Sequence, residues 1–198
     1  MKGKSMEDRI EIIHEMIEKT RRRAAGSGGY FLLWGWLILF ACIAQYALEY
    51  LHAAQYSWVL WSGVTAFGAI ITVLMQSRNR EKSGVTTYVD SAISSVWQAC
   101  GISILLVAFV GVMFGGISYD SLVPTISILA GIATFVTGRV IEYRVMQYAG
   151  IIWGVGAVVA MFMPAQYHTL IMGVTIIPGY LVPGYAIKRY AGESHEAV

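Results

Sequence analysis

Residues 30–48 read YFLLWGWLILFACIAQYAL, a run that contains no charged side chain. A helix needs about 20 mostly apolar residues to cross the hydrocarbon core of a bilayer, so this run has the length of one crossing. A long segment of mixed charge precedes it, and no convincing cleavage site follows it, which is unlike a secretory signal peptide. The run therefore predicts a first membrane span that stays in the mature protein.

The composition of the whole chain agrees with a membrane location. Of 198 residues, 57% are apolar or aromatic and 13% are charged, whereas about a quarter of an ordinary soluble domain is charged. Twelve of the charged residues lie within positions 1–23, so the remaining 175 residues carry only 14. That remainder cannot cover a globular surface with polar groups, and a water-soluble globule is excluded.

Four further apolar runs predict five more spans. Three of them have the length of a single crossing, at residues 56–76, 91–114 and 168–187. The fourth, residues 122–163, is too long for one crossing and must fold back, most plausibly where Arg139, Glu142 and Arg144 cluster. The predicted fold is therefore an all-α bundle of six spans over residues 27–190, with a cytoplasmic helix at 1–26 and a tail at 191–198.

The basic residues predict the orientation of this bundle. With six spans, all 14 Lys and Arg residues fall in the N-terminal segment, the loops after spans two and four, and the C-terminal segment. The opposite loops contain only Glu49 and Asp120 as charges. Because basic loops are retained in the cytoplasm, both termini are expected there.

Short matching strings suggest that the six spans form three repeated hairpins. Leu33-Trp34-Gly35 in span one matches Ile152-Trp153-Gly154 in span five, and Gly63-Val64-Thr65 in span two matches Gly173-Val174-Thr175 in span six. Residues 44–46 and 165–167 both read AQY, and span three has Trp97 early in its run. Parallel repeats of this kind imply a pseudo-symmetry axis along the membrane normal.

The phrase YFLLWGWL at residues 30–37, preceded by a charged helix, resembles a family of uncharacterised small bacterial membrane proteins. The resemblance implies a six-span protein whose relatives are often encoded beside small winged-helix regulators. The three-hairpin layout is also similar to the acid-resistance HdeD family. Neither resemblance implies a catalytic activity.

The N-terminal segment carries an amphipathic pattern. Met6, Ile10, Ile13 and Ile17 recur at intervals of four, three and four, the seam of a heptad repeat, and Ser5 can cap the helix. Two heptads are too short to be stable alone, so the stripe must be buried against something. A cytosolic partner or a second copy of the chain is favoured, and packing on the cytoplasmic loops of the same protein is the alternative.

Two features of the spans predict a possible transport path. Pro178-Gly179 and Pro183-Gly184 place two helix-breaking pairs in span six, and transporters use such breaks as substrate sites. Asp90, Ser94 and Gln98 form a polar stripe in span three. For each feature the structural alternative is favoured: a kink that fits the bundle, and an ion pair of Asp90 with Arg139 or Arg144.

The search for enzyme motifs is negative. The chain has no phosphate-binding glycine loop, no His-Glu-x-x-His and no Gly-x-Ser-x-Gly, and Cys42 and Cys100 lie within apolar runs. No catalytic residue, cofactor, resident metal or nucleic-acid partner is predicted, although a metal could bind if three outer-face side chains converged. Those side chains are Glu49, His52, Asp120 and His168. The predicted function is non-enzymatic docking through the N-terminal helix, with a small transporter or channel as the alternative.

Overall fold

The computed structural model describes the backbone of residues 6–83 and 88–192 and the side chains of residues 28–78 and 89–189. The described residues form helices and no strand, which confirms the all-α prediction. Six helical segments are long and apolar enough to cross a membrane. They are Gly28–Tyr50, Ala54–Arg78, Val89–Gly111, Tyr119–Val140, Arg144–Phe162 and Ala165–Arg189.

Seven α-helices make up these six spans. They are α1 (Met6–Tyr50), α2 (Ser57–Ser83), α3 (Tyr88–Leu105), α4 (Tyr119–Val140), α5 (Arg144–Phe162), α6 (His168–Ile176) and α7 (Val182–Gly192). A π-helical turn at Leu106–Gly111 extends α3, and another at Ile177–Leu181 joins α6 to α7 within span six. The boundary predicted between the 1–26 segment and the membrane domain falls inside α1, so one helix runs through both.

The turn between spans four and five lies where the charged cluster predicted it. The chain reverses over residues 141–143, and Glu142 adopts a left-handed backbone conformation with φ of 56°. The Tyr143 N–H donates to the Gly138 carbonyl oxygen at 2.9 Å, which satisfies one of the carbonyls left open at the end of α4. This fold-back confirms six spans rather than five.

The packing divides the spans into a core and a periphery. Spans four and five form the most extensive helix contact, and span one packs along span six. Only 6% of span two and 6% of span three is buried, against 56% of span six. Span two lies beside span one and span three beside span four, so these two spans form the periphery of the bundle.

Spans one and two, spans three and four, and spans five and six are each in contact, as three hairpins require. One part of the predicted repeat is wrong in register, however. Residues 44–46 lie inside α1, whereas Ala165–Tyr167 is a 3₁₀ turn that precedes span six. The structural counterpart of that turn is Ala54–Tyr56, which has the same three residues and forms a 3₁₀ turn before α2.

Candidate functional site

The predicted docking residues Met6, Ile10, Ile13 and Ile17 lie on the first turns of α1. Their side chains are outside the described part of the structure, so only the course of the backbone bears on them. That backbone is helical from Met6 into the first span without interruption. The 22 residues before Gly28 would extend about 33 Å at 1.5 Å per residue.

The polar stripe of span three lies at the surface of the bundle. Gln98 and Asp90 are exposed, and Ser94 is half-buried. The Gln98 side-chain nitrogen donates to Ser94 Oγ at 3.2 Å, and Gln76 of α2 donates to the same oxygen at 3.4 Å. The structure thus joins Ser94, Gln98 and span two, but it does not turn Gln98 toward the interior of the bundle.

Span six is helical throughout, with a π turn and no unwound stretch at its Pro-Gly pairs, in agreement with the favoured structural alternative. Proline has no N–H, so Pro178 and Pro183 each leave a carbonyl without its usual donor. The π turn shifts the bonding by one residue, and the Val182 N–H donates to the carbonyl of Ile177, five residues earlier. A single wide turn therefore accommodates the two prolines without unwinding the segment.

Gly179 explains why the wide turn fits its surroundings. A β carbon added there would lie 2.5 Å from Nε1 of Trp153, so the indole of span five rests directly on the glycine backbone. Both residues are buried, and Pro183 is almost fully buried as well. This part of the predicted path is a packed helix contact.

An aromatic cluster occupies the space between span three and span six. Tyr180 packs edge-on against Phe31, Trp97 and Trp153, with ring-centroid distances of 5.3, 6.2 and 5.0 Å. Thr134 of α4, whose hydroxyl donates to the Ala130 carbonyl at 2.7 Å, lies beside the Tyr180 hydroxyl. The cluster separates the span-six prolines from the outward-facing Gln98, so the two halves of the predicted path do not meet.

Tryptophans hydrogen-bond the two spans of the first and second hairpins to each other in the same way. Trp34 of span one donates to Thr72 Oγ1 of span two at 3.1 Å, and Trp97 of span three donates to Thr137 Oγ1 of span four at 3.0 Å. Trp153 is the corresponding residue of span five, and its indole N–H is the one buried side-chain donor without a partner among the described residues.

The missing acceptor in the third hairpin has an explanation in the sequence. In the first hairpin, Trp34 lies against Gly68, and its acceptor Thr72 comes four residues after that glycine. In the third hairpin, Trp153 lies against Gly179, and the residue four positions later is Pro183, which has no hydroxyl. Pro183, which follows the π turn of span six, therefore stands where the repeat would place a threonine.

Removing the acceptor of Trp97 tests this tryptophan–threonine pattern. Thr137→Val keeps the side-chain shape but leaves the Trp97 N–H without its acceptor, so the free energy of unfolding should fall by about 1–2 kcal/mol. Thr125→Val is the matched control, because the Thr125 hydroxyl donates only to the carbonyl of Ser121 at an exposed position. Denaturant unfolding of the purified protein measures both, and equal losses would contradict the assignment.

A second set of polar side chains, which the sequence did not predict, joins spans one and two near their connecting loop. The buried Gln45 donates to Glu49 Oε1 and to Ser57 Oγ, both at 2.9 Å, and accepts from Trp61 Nε1 at 3.2 Å. Every polar atom of the Gln45 side chain is thus engaged with a neighbouring side chain. Its role is to hold the hairpin together within the membrane.

A cavity of about 510 Å³ lies at the ends of spans four, five and six that face away from the 141–143 turn. Asp120, Thr125 and His168 contribute polar groups to it, and Nε2 of the buried His168 lies 2.9 Å from the Met163 carbonyl oxygen. Glu49 and His52 do not line this cavity. Within the described ranges, no three His, Cys, Asp or Glu side chains come close enough to hold a metal ion.

Comparison of the chain with protein-family models, with curated proteins and with solved structures finds no match. The resemblances drawn from residues 30–37 and from the hairpin layout therefore stay predictions.

Proposed function

We propose that this integral membrane protein is a non-enzymatic scaffold or signalling protein that docks a cytosolic partner, or a second copy of itself, through the N-terminal half of α1. The observation that supports the proposal is the single helix from Met6 to Tyr50. The docking face is formed by Met6, Ile10, Ile13 and Ile17.

Continuity with the span removes the main physical objection to such a short docking helix. An isolated helix of two heptads is marginal in water because its first turn is costly to nucleate. Here the membrane span supplies the nucleus, and the helix needs only to propagate from Gly28 toward Met6. The apolar stripe is then available in helical form before any partner arrives.

The length of the helix also favours a partner over the protein's own loops. A helix that continues from the span for about 33 Å carries Ile10 and Ile13 well beyond the membrane surface. To pack on the short loops of the same chain, α1 would have to bend back sharply, most readily at the Gly- and Ser-rich residues 26–29. The helix instead continues through these residues without interruption.

The charge distribution supports a docking face in the cytoplasm. All 14 basic residues belong to the N-terminal segment, the C-terminal segment and the loops that six crossings put on the same side. Arg21, Arg22 and Arg23 lie just before the first span, where anionic lipid headgroups would attract them. The inner membrane is therefore the proposed location, with both termini inside.

The alternative, a small transporter or channel, has one observation in its favour. π-helical turns occur often at functional sites, and both span three and span six contain one. Against it, the 510 Å³ cavity does not include Pro178, Gly179 or Pro183, and neither does a smaller apolar groove between α4 and α5. Because neither cavity reaches the span-six prolines, the docking function is favoured over the transporter.

Replacing Ile10, Ile13 and Ile17 together by Ser tests the proposal. Burying one isoleucine contributes about 1.5–3 kcal/mol, so the triple variant should weaken the complex by about 100-fold or more. A photo-cross-linking residue placed at His14, beside the stripe, reports the complex in membranes, and the mass of the adduct distinguishes a second copy from another protein. The adduct should disappear in the triple variant.

The control changes Glu11, Glu15 and Glu18, on the opposite face of the same helix, to Ser. This variant should keep the adduct, because it removes polar residues that do not belong to the stripe. An adduct that survives the isoleucine changes would contradict docking through this face. Loss of thermal stability in the purified triple variant would instead show that α1 packs on its own protein.

A further inference from the structure

The outward face of α3 has the spacing of a helix-pairing surface. Five exposed residues follow one another at intervals of four, three, four and three: Ser91, Ser95, Gln98, Ile102 and Leu105. We call them the span-three seam. This spacing keeps a stripe facing a neighbour that packs at a shallow left-handed angle, as in coiled coils and most helical bundles.

The inward face of α3 is already occupied by span four. Trp97 donates to Thr137, and Cys100 Sγ donates to the carbonyl of Leu129 at 3.4 Å. The seam lies on the other side of the helix and is not covered by span two, which barely contacts α3. The surface therefore faces the hydrocarbon of the bilayer when the chain is alone.

Gln98 makes that exposure costly. It lies two residues from the middle of Val89–Gly111, which is about 3 Å along the helix axis. Its bond to Ser94 Oγ uses one N–H of the Gln98 carboxamide. That bond leaves the carboxamide oxygen of Gln98 able to accept hydrogen bonds from other donors. A carboxamide at this depth needs further hydrogen bonds, and lipid tails offer neither donors nor acceptors.

The chemistry of the seam favours a second copy of the chain as the group that covers it. All copies insert with one orientation, so two α3 helices meet in parallel about a twofold axis along the membrane normal. In such an interface each seam residue faces its own counterpart. A carboxamide both donates and accepts, so Gln98 can pair with Gln98 of the other copy at the same depth. Ser91 and Ser95 are small enough to permit close approach.

We propose that the span-three seam is a homodimer interface within the membrane, with the two Gln98 carboxamides hydrogen-bonded across the twofold axis. This interface is separate from the N-terminal docking face and does not depend on it. The dimer brings two copies of α1 into one complex, side by side on the same face of the membrane.

Disulfide cross-linking in the membranes of expressing cells tests the interface. In a chain with Cys42 and Cys100 changed to Ala, Ser95→Cys and Ile102→Cys should each give an oxidised species of twice the 21.8 kDa chain mass. Val155→Cys and Val174→Cys are matched controls, since their side chains are 58% and 69% exposed on spans five and six. The controls should give little dimer.

A second variant tests the role of the carboxamide. Gln98→Leu removes the hydrogen bonds but leaves an apolar residue that suits lipid, so it should fold and should raise the dimer dissociation constant about tenfold. Gln166→Leu makes the same change at an exposed loop position and should not alter that constant. Fluorescence energy transfer at varied protein-to-lipid ratios measures both.

Three results would overturn the proposal: equal cross-linking at seam and control positions, adducts whose mass matches another protein, or dimerisation unaffected by Gln98→Leu. The seam cross-links should persist in the variant with Ile10, Ile13 and Ile17 changed to Ser. Failure of the N-terminal docking function and failure of the membrane dimer are therefore distinguishable.

Discussion

Gly150→Ala should destabilise the folded bundle by about 3 kcal/mol, at the upper end of the usual cost of overpacking a core. A β carbon at Gly150 would lie 2.6 Å from Phe135 Cβ, 2.7 Å from Phe135 N and 2.8 Å from the carbonyl oxygen of Gly131. Two of these atoms belong to the backbone of α4, so no side-chain rotation relieves the clash. The two helices would have to move apart.

Gly154→Ala is the matched control for this prediction. Gly154 lies one turn further along α5, and a β carbon there would meet nothing within 4 Å. Alanine is favoured over glycine in a helix by up to about 1 kcal/mol, so this variant should be unchanged or slightly stabilised. Denaturant unfolding of both purified variants compares them, and equal stability would contradict the close approach of α4 and α5.

The number of spans and their turns could be predicted from the sequence because lipid imposes a simple length rule. Residues 122–163 exceed one crossing, and charged Arg139, Glu142 and Arg144 cannot remain inside the hydrocarbon. The turn at 141–143 follows from these two facts alone. Local composition was therefore sufficient to predict this turn.

The shape of span six could not be predicted in the same way. Pro178 and Pro183 indicate that backbone donors are missing, but they do not indicate how the helix responds. The outcome depends on Gly179 lying under Trp153, a contact with another span. A π turn and an unwound segment are both compatible with the same local sequence.

The hydrogen bonds between spans were missed for a related reason. Trp34 and Thr72 are 38 residues apart, and Trp97 and Thr137 are 40 apart, so neither pair forms a local pattern. The repeated tryptophans Trp34, Trp97 and Trp153 are the signal in the sequence from which such pairs could be sought. Residues 44–46 and 165–167 match in sequence, but the turn equivalent to 165–167 is Ala54–Tyr56, which precedes span two.

The polar stripe of span three could be predicted as one face of a helix, but the direction of that face within the bundle could not. Asp90, Ser94 and Gln98 were correctly placed along one helix, but helical periodicity does not say whether that side points inward or outward. The position of span four beside α3 decides it, because Trp97 and Cys100 occupy the inner side. Gln98 is then exposed at the surface of the bundle and does not line an interior path.

Docking to a cytosolic partner requires that the N-terminal half of α1 lies in the cytoplasm, and accessibility labelling tests this requirement most directly. Single cysteines at Ala53 and Ser118 lie in the loops after spans one and three, and a cysteine at Ser83 lies in the loop after span two. Six crossings place Ser83 on the same side as the N-terminus. The native Cys42 and Cys100 are buried and give little background.

In intact cells, an impermeant thiol reagent should label the cysteines at Ala53 and Ser118, and it should label the one at Ser83 only after the membrane is permeabilised. The physical reason is retention of all 14 basic residues on the cytoplasmic side. Labelling at Ser83 in intact cells, with protection at Ala53 and Ser118, would place α1 outside the cell and contradict cytoplasmic docking.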